Sequence, residues 1–146
     1  MFFYQVWVRL IFPKGGDKIM IKAIESIILF SENAKKLAKF YRETVGLKQT
    51  LEAELGENNE ELFGFEIGKG SGLSIVDHSK VKGKNKNPER MIYNLEVDDI
   101  KKEAKRLTAA KAKKVQDIYH IEGYGYIATF ADVDGNYFQL VQVKAK

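Results

Sequence analysis

The sequence contains no cysteine, and this absence excludes disulfide bonds, thiolate nucleophiles and Cys-ligated zinc or iron–sulfur clusters. Histidine occurs only at His78 and His120, so a metal site would have to depend mainly on carboxylates. No run approaches the roughly 20 apolar residues that a membrane span needs. These absences leave a soluble globular protein, which we expect to be cytoplasmic.

What the chain does contain is a large share of apolar residues. Its 146 residues are 45% apolar, 12% aromatic and 30% charged, which suits one domain or two small modules with a common core. The formal net charge of +4 comes from lysines spread over predicted helices and one loop. No arginine run alternates with aromatic residues, so we expect neither a nucleic acid nor a membrane as partner.

Residues 1–19 differ from the rest of the chain. Residues 2–12 are aromatic and β-branched, and a Pro-Lys-Gly-Gly breaker follows them. The segment lacks the basic start and the small-residue cleavage site of a secretory signal. It is either an extra strand or a translated leader before an ancestral start at Met20. As a strand, it would pack on a sheet edge or across a homodimer interface with Trp7 largely buried.

From Met20 to residue 78 the pattern predicts one strand, one helix and three further strands. Ser31, Glu32 and Asn33 form a helix start, and Gly46 occupies a typical C-terminal cap position. The helix between them has one apolar stripe, formed by Ala34, Leu37, Ala38, Tyr41 and Val45. The strands are predicted at residues 21–30, 48–55, 61–67 and 72–77.

The same order of elements occurs again at residues 90–146. Aligning Phe30 with Val97 gives an offset of about 67 residues, and the final strands then align as well. Strands are predicted at residues 91–97, 114–121, 126–131 and 136–143, and Asp98 and Asp99 begin the second helix. The Lys-rich residues 79–89 form the predicted linker. The chain is therefore predicted to contain two βαβββ modules, neither of which can bury its own sheet face.

Three segments resemble the vicinal oxygen chelate superfamily, which contains glyoxalase I, the bleomycin resistance proteins and the extradiol dioxygenases. Residues 40–47, Phe-Tyr-Arg-Glu-Thr-Val-Gly-Leu, are similar to its "FY…LG" helix end. Residues 95–99 resemble its "F-x-V-x-D" entry to the second helix. Residues 124–140 resemble its closing "G…F-x-D-P-D-G-N-x-x-E-L" hairpin. The resemblance implies an α+β fold whose eight strands form a curled mixed sheet around a cleft, with the helices outside.

In metal-dependent members of that superfamily, the first and last strands of each module supply four ligands. The resemblance places Glu25, Ser74, Ile92 and Gln139 at these positions, and a one-residue slip would substitute Ser26 or Asn94. Serine is a poor ligand for divalent metals and isoleucine is none. We therefore expect a site without metal or other cofactor. Glu25 and Gln139 are the metal ligands only if the alternative function below holds.

Alternation along the strands sorts the side chains between helices and cleft. It predicts that Ile28 and Phe30 face the helices, while Glu25, Ile27 and Leu29 face the cleft. Combined with the aromatic residues and His120, it gives a set of candidate ligand-binding residues: Glu25, Ser74, Asn94, His120, Tyr126, Tyr137 and Gln139. Such a cleft would be apolar with a few polar groups, as small-molecule pockets usually are.

The leading hypothesis is a metal-independent, homodimeric binding protein that sequesters an antibiotic or metabolite. The basic net charge favours a neutral or anionic ligand, with a planar aromatic compound as one option. The alternative is a metal-dependent, glyoxalase-like lyase or isomerase in which Glu25 is the general base. A purely structural or protein-interaction module is the third class.

Overall fold

The structure, a computed structural model, describes residues 21–144. The predictions for residues 1–19, including the burial of Trp7, lie outside this range. The first module contains β1 (Ser26–Ser31), α1 (Ala34–Lys39), a π-helical turn (Phe40–Val45), β2 (Lys48–Leu55), β3 (Glu60–Glu66) and β4 (Gly72–Asp77). The second contains a 3₁₀ turn (Pro88–Arg90), β5 (Tyr93–Glu96), α2 (Ile100–Ala109), β6 (Lys113–Ile121), β7 (Gly125–Ala131) and β8 (Tyr137–Val143).

The strands form two four-stranded mixed sheets with the same topology. The first sheet has the order β1-β4-β3-β2 and the second has the order β5-β8-β7-β6. In each sheet the first strand pairs in parallel with the last, and the other neighbours are antiparallel. This confirms the α+β class and the repeated βαβββ order, with the eight strands divided between two sheets.

The helix boundaries follow from local capping. The side chain of Asn33 accepts a hydrogen bond from the amide of Lys36 (2.9 Å), and Asp99 accepts one from the amide of Lys102 (3.0 Å). Gly46 ends the π-helical turn with φ = 88°, a left-handed conformation that glycine adopts without steric cost. None of the described helices is long and apolar enough to cross a bilayer.

Both modules contribute to one hydrophobic core between the helices and one face of each sheet. The aromatic ring of Phe138 on β8 lies 6.0–6.2 Å from the rings of Phe40, Tyr41, Tyr93 and Phe130, so it contacts both modules. At the edge of this core, the Arg106 guanidinium donates to the carbonyl oxygens of Thr44 (2.9 Å) and Val45 (2.8 Å). The second helix thereby caps the end of the π-helical turn.

The alternation predicted for β1 is wrong by one residue. Ile27 and Leu29 pack against the core, whereas Ile28 and Phe30 are 50% and 46% exposed. The parallel pairing of β1 with β4 explains which side chains face the core. Ile27 and Leu29 pair with Leu73 and Ile75, which are buried in the core. Four consecutive residues of β1 are apolar, so the sequence does not show which of them face the core.

Candidate functional site

Each sheet has a second face, opposite to α1 and α2, which we call the helix-free face. On the first sheet the strand register aligns two rows of side chains across this face. One row contains Ile28, Ser74, Gly64 and Leu51, and the other contains Phe30, Val76, Leu62 and Ala53. Ser74 is the only polar side chain in these two rows, so the surface is apolar with one hydroxyl group near its centre.

The second sheet has a row of uncharged polar side chains on its helix-free face. The register aligns Asn94 on β5, Gln139 on β8, Thr129 on β7 and Gln116 on β6. The Gln139 amide donates to the Thr129 hydroxyl oxygen over 3.0 Å, which fixes its orientation. We call these four residues the polar row. Two amides flank one hydroxyl at its centre, so the row offers both donors and acceptors.

The structure separates the predicted ligand-binding residues into two groups. Ser74, Asn94, Tyr137 and Gln139 occupy helix-free positions, because their neighbours along the strands are the core residues Leu73, Ile75, Tyr93, Leu95, Phe138 and Leu140. Glu25 lies before β1 and is exposed. Extending the alternation of β1 back to Glu25 places this side chain on the helix side of the sheet, as it does Ile27. The neighbouring position on the helix-free face belongs to Ser26.

His120 and Tyr126 lie on the helix side of the second sheet. They are cross-strand partners with ring centroids 4.8 Å apart. Tyr126 also pairs with Gln142, whose side-chain oxygen accepts from the Ile100 amide at the start of α2 (2.8 Å). His120 and Tyr126 line a separate depression of about 480 Å³ beside Tyr124. The fold therefore places these two residues away from the polar row.

Thr129 and Gln116 did not emerge from the sequence as candidates. Alternation on β7 contains a signal for Thr129, since Ile127, Thr129 and Ala131 share one face and Thr129 is the polar member. Gln116 has no such signal, because the pairing of β6 with β7 shifts on both sides of it. These irregularities disrupt the simple period of two.

The donor set on the helix-free faces does not fit a divalent metal ion. The resemblance places Glu25, Ser74, Ile92 and Gln139 at the ligand positions. Glu25 is exposed and has the strand phase of the helix side, and the other three side chains are neutral. The one-residue slip to Ser26 or Asn94 would add only neutral side chains. Divalent metal ions prefer carboxylates or imidazoles. Within residues 21–144, no group of three or more His, Asp or Glu side chains is placed to hold a metal ion.

A buried hydrogen-bond network connects the two modules beneath the sheets. The hydroxyl groups of Tyr41 and Tyr93 are hydrogen-bonded to each other, and Tyr41 also donates to the Asp132 carboxylate over 2.8 Å. Burial raises the pKa of both tyrosines, so both hydroxyls stay protonated at neutral pH. Desolvation also raises the pKa of Asp132, against the opposing effect of its hydrogen bonds from Asn136 and Tyr41.

This raised pKa predicts a pH dependence of stability. The folded Asp132 carboxyl binds its proton more tightly than the unfolded one, so its contribution falls as pH rises from the ordinary aspartate value through the raised one. We expect unfolding titrations of the wild type and Asp132→Asn between pH 4 and 7 to differ in slope. The free energy of unfolding of the wild type should fall relative to the variant with rising pH. A constant or growing wild-type advantage would contradict the predicted sign.

Comparison with known proteins gives a family match over most of the chain. The sequence profile described as "Glyoxalase/Bleomycin resistance protein/Dioxygenase superfamily" matches residues 23–140. No curated protein sequence gives a significant match.

Three similar solved structures illustrate the likeness in fold. TnmS3, an antibiotic binding protein from Streptomyces sp. CB03234, is 20% identical with a TM-score of 0.64, over 87% of this chain and 100% of that one. The fosfomycin resistance protein FosX from Listeria monocytogenes is 16% identical with a TM-score of 0.66, over 86% and 96%. Glyoxalase I from Leishmania major is 18% identical with a TM-score of 0.67, over 84% and 87%.

Proposed function

Because the chain belongs to the Glyoxalase/Bleomycin resistance protein/Dioxygenase superfamily, we propose that it binds a small molecule on its helix-free faces without a metal ion. The observation that carries this proposal is the polar row on the second sheet, together with the apolar surface on the first. Gln139, oriented by Thr129, offers hydrogen bonds from a fixed position. Ile28 and Phe30 offer exposed apolar surface. Its burial by a ligand would contribute about 25 cal/mol per Å² to the free energy of binding.

The chemistry of these side chains favours a neutral or anionic ligand, including planar aromatic compounds. Amides and hydroxyls hydrogen-bond to carbonyl, hydroxyl and amide groups without requiring a charge on the ligand. The net charge of +4 disfavours the approach of a cationic compound. The antibiotic-binding neighbour TnmS3 supports sequestration of an antibiotic or metabolite as the biological role.

A thermal-shift screen of antibiotics and metabolites tests the proposal. A ligand found in this way should bind Gln139→Leu about tenfold more weakly, because the variant keeps the side-chain volume and removes its hydrogen bonds. Gln49→Leu on β2 is the matched control, and its affinity should equal that of the wild type. A ligand whose affinity does not change in Gln139→Leu would count against the polar row as the binding site.

The alternative function is a metal-dependent lyase or isomerase with Glu25 as general base and Gln139 among the metal ligands. Glu25 is exposed, and the alternation along β1 places it on the helix side of the sheet. Both facts weaken this alternative. Metal analysis of protein purified without chelators separates the two functions. A stoichiometric divalent ion would contradict metal-independent binding. Homodimerisation and a cytoplasmic location stay predictions.

A further inference from the structure

The strands of the second sheet extend beyond the first turn of α2, which leaves one end of the helix side open. Tyr126, Ala128 and Phe130 share the helix side of β7. Ala128 and Phe130 are fully buried in the core, whereas Tyr126 is 42% exposed. The helix begins at Ile100, whose amide is held by Gln142, the neighbour of Tyr126 on β8. The depression of about 480 Å³ described above occupies this open end, and we call it the strand-end depression.

Aromatic rings and bare backbone line the strand-end depression. His120 and Tyr126 pair across β6 and β7, and Tyr124 is 38% exposed in the turn between these strands. Gly123 and Gly125 also line the depression and contribute no side chain that could fill it. Glycine is required at position 125, because φ is 147° there and a Cβ atom would clash with a backbone carbonyl oxygen of β8. The surface beside the rings can therefore accept a flat ligand.

Besides His120, one side chain of each charge lines this depression. Glu122 lies in the turn between β6 and β7, and Lys144 follows β8. The amide of Lys144 donates to the carbonyl oxygen of Tyr124 over 2.9 Å, which holds the two segments together. Neither Glu122 nor Lys144 forms an ion pair within residues 21–144. Both charges are therefore available to a ligand.

Gln142 adds a hydrogen-bond donor whose orientation is fixed. Its side-chain oxygen accepts from the amide of Ile100 over 2.8 Å, so its NH₂ group is directed away from that amide. Gln142 also lines the strand-end depression. Its NH₂ group can therefore donate to a carboxylate or carbonyl oxygen of a bound molecule.

We propose that the strand-end depression binds a small aromatic molecule with both an ammonium and a carboxylate group, as free aromatic amino acids have. The ring packs against Tyr126 and His120. The ammonium group pairs with Glu122, and the carboxylate pairs with Lys144 and Gln142. A ligand with a single charge would leave one of the two charged side chains without a partner, so the zwitterion is favoured. This site is separate from the helix-free faces and does not depend on the proposed function.

An NMR titration of the full-length chain with L-tryptophan tests the proposal. Shifts of backbone amides should concentrate in residues 120–126 and 142–144, with a dissociation constant of about 1 mM or below. L-tryptophanamide keeps the ring and the ammonium group but lacks the carboxylate. N-acetyl-L-tryptophan keeps the ring and the carboxylate but lacks the ammonium group. Each derivative should bind about fivefold more weakly than tryptophan, because it loses one charged contact.

Two variants assign these contacts to residues. Glu122→Gln should weaken tryptophan binding about fivefold but leave N-acetyl-L-tryptophan unaffected, because this derivative has no ammonium group to lose. Tyr126→Leu should weaken the binding of all three compounds, since they share the ring that Tyr126 contacts. Glu57→Gln, in the exposed turn between β2 and β3, is the matched control and should bind all three as the wild type does.

Equal or tighter binding of either derivative would overturn the proposal, as would a tryptophan dissociation constant above about 10 mM. An equal loss for tryptophan and N-acetyl-L-tryptophan in Glu122→Gln would also overturn it, because the residue would then act only through the structure. Weaker tryptophan binding in Gln139→Leu would locate the ligand on the polar row instead. The comparison of the three compounds uses the wild type, so it holds even if a variant fails to fold.

Discussion

Replacing Asp132 by alanine is expected to lower the free energy of unfolding by about 3–5 kcal/mol. The carboxylate accepts hydrogen bonds from the Tyr41 hydroxyl (2.8 Å), the amides of Asp134 and Asn136 (2.9 Å each) and the Asn136 side chain (3.0 Å). The variant removes all of these at once. It leaves the buried Tyr41 and Tyr93 hydroxyls with only each other, and it releases the turn before β8.

Urea unfolding followed by circular dichroism measures this loss. Asp117→Ala on β6 is the matched control. Asp117 is exposed, and its carboxylate accepts hydrogen bonds only from residues of its own strand. Its unfolding midpoint should stay close to that of the wild type. Equal midpoints for Asp132→Ala and the control would show that the network contributes little to stability.

The Phe138→Ala variant should be destabilised by about 3–5 kcal/mol for a different reason. Phe138 is fully buried, and its ring packs against aromatic rings from both modules. Truncation leaves a cavity that the surrounding rings, held by the π-helical turn, β5 and β7, can fill only in part.

Thermal and urea unfolding measure the effect of this cavity. Val143→Ala on the same strand is the control, because Val143 is 40% exposed and should lose less than about 1 kcal/mol. A loss in Phe138→Ala no larger than in Val143→Ala would mean that the core closes around the missing ring.

Most of the fold is predictable from the sequence because its signals are local. Asn33, Asp99 and Gly46 mark helix ends through their own backbone chemistry. The apolar stripe through Leu37 and Tyr41 has the helical period, and both residues are buried as that period requires. The repeat then determines that each half contains the same elements in the same order.

The site is less predictable because it depends on which face each strand presents. The four consecutive apolar residues of β1 do not show which face each side chain occupies, so alternation alone places Ile28 and Phe30 on the wrong side. His120 and Tyr126 have the residue types of a ligand site, but only the pairing of Tyr126 with Gln142 shows that they face α2. The polar row exists only through the register of four strands, which no single segment of sequence specifies.

The shared core has a consequence for how the molecule folds. Because Phe138, Tyr41 and Asp132 join the two halves through side chains buried in both, neither half holds a complete interior of its own. Unfolding should therefore be one cooperative event, despite the internal repeat. A substitution in one half should therefore change the stability of the whole molecule. An exchange of one half for that of a relative would succeed only if both sides of this interior were transferred together.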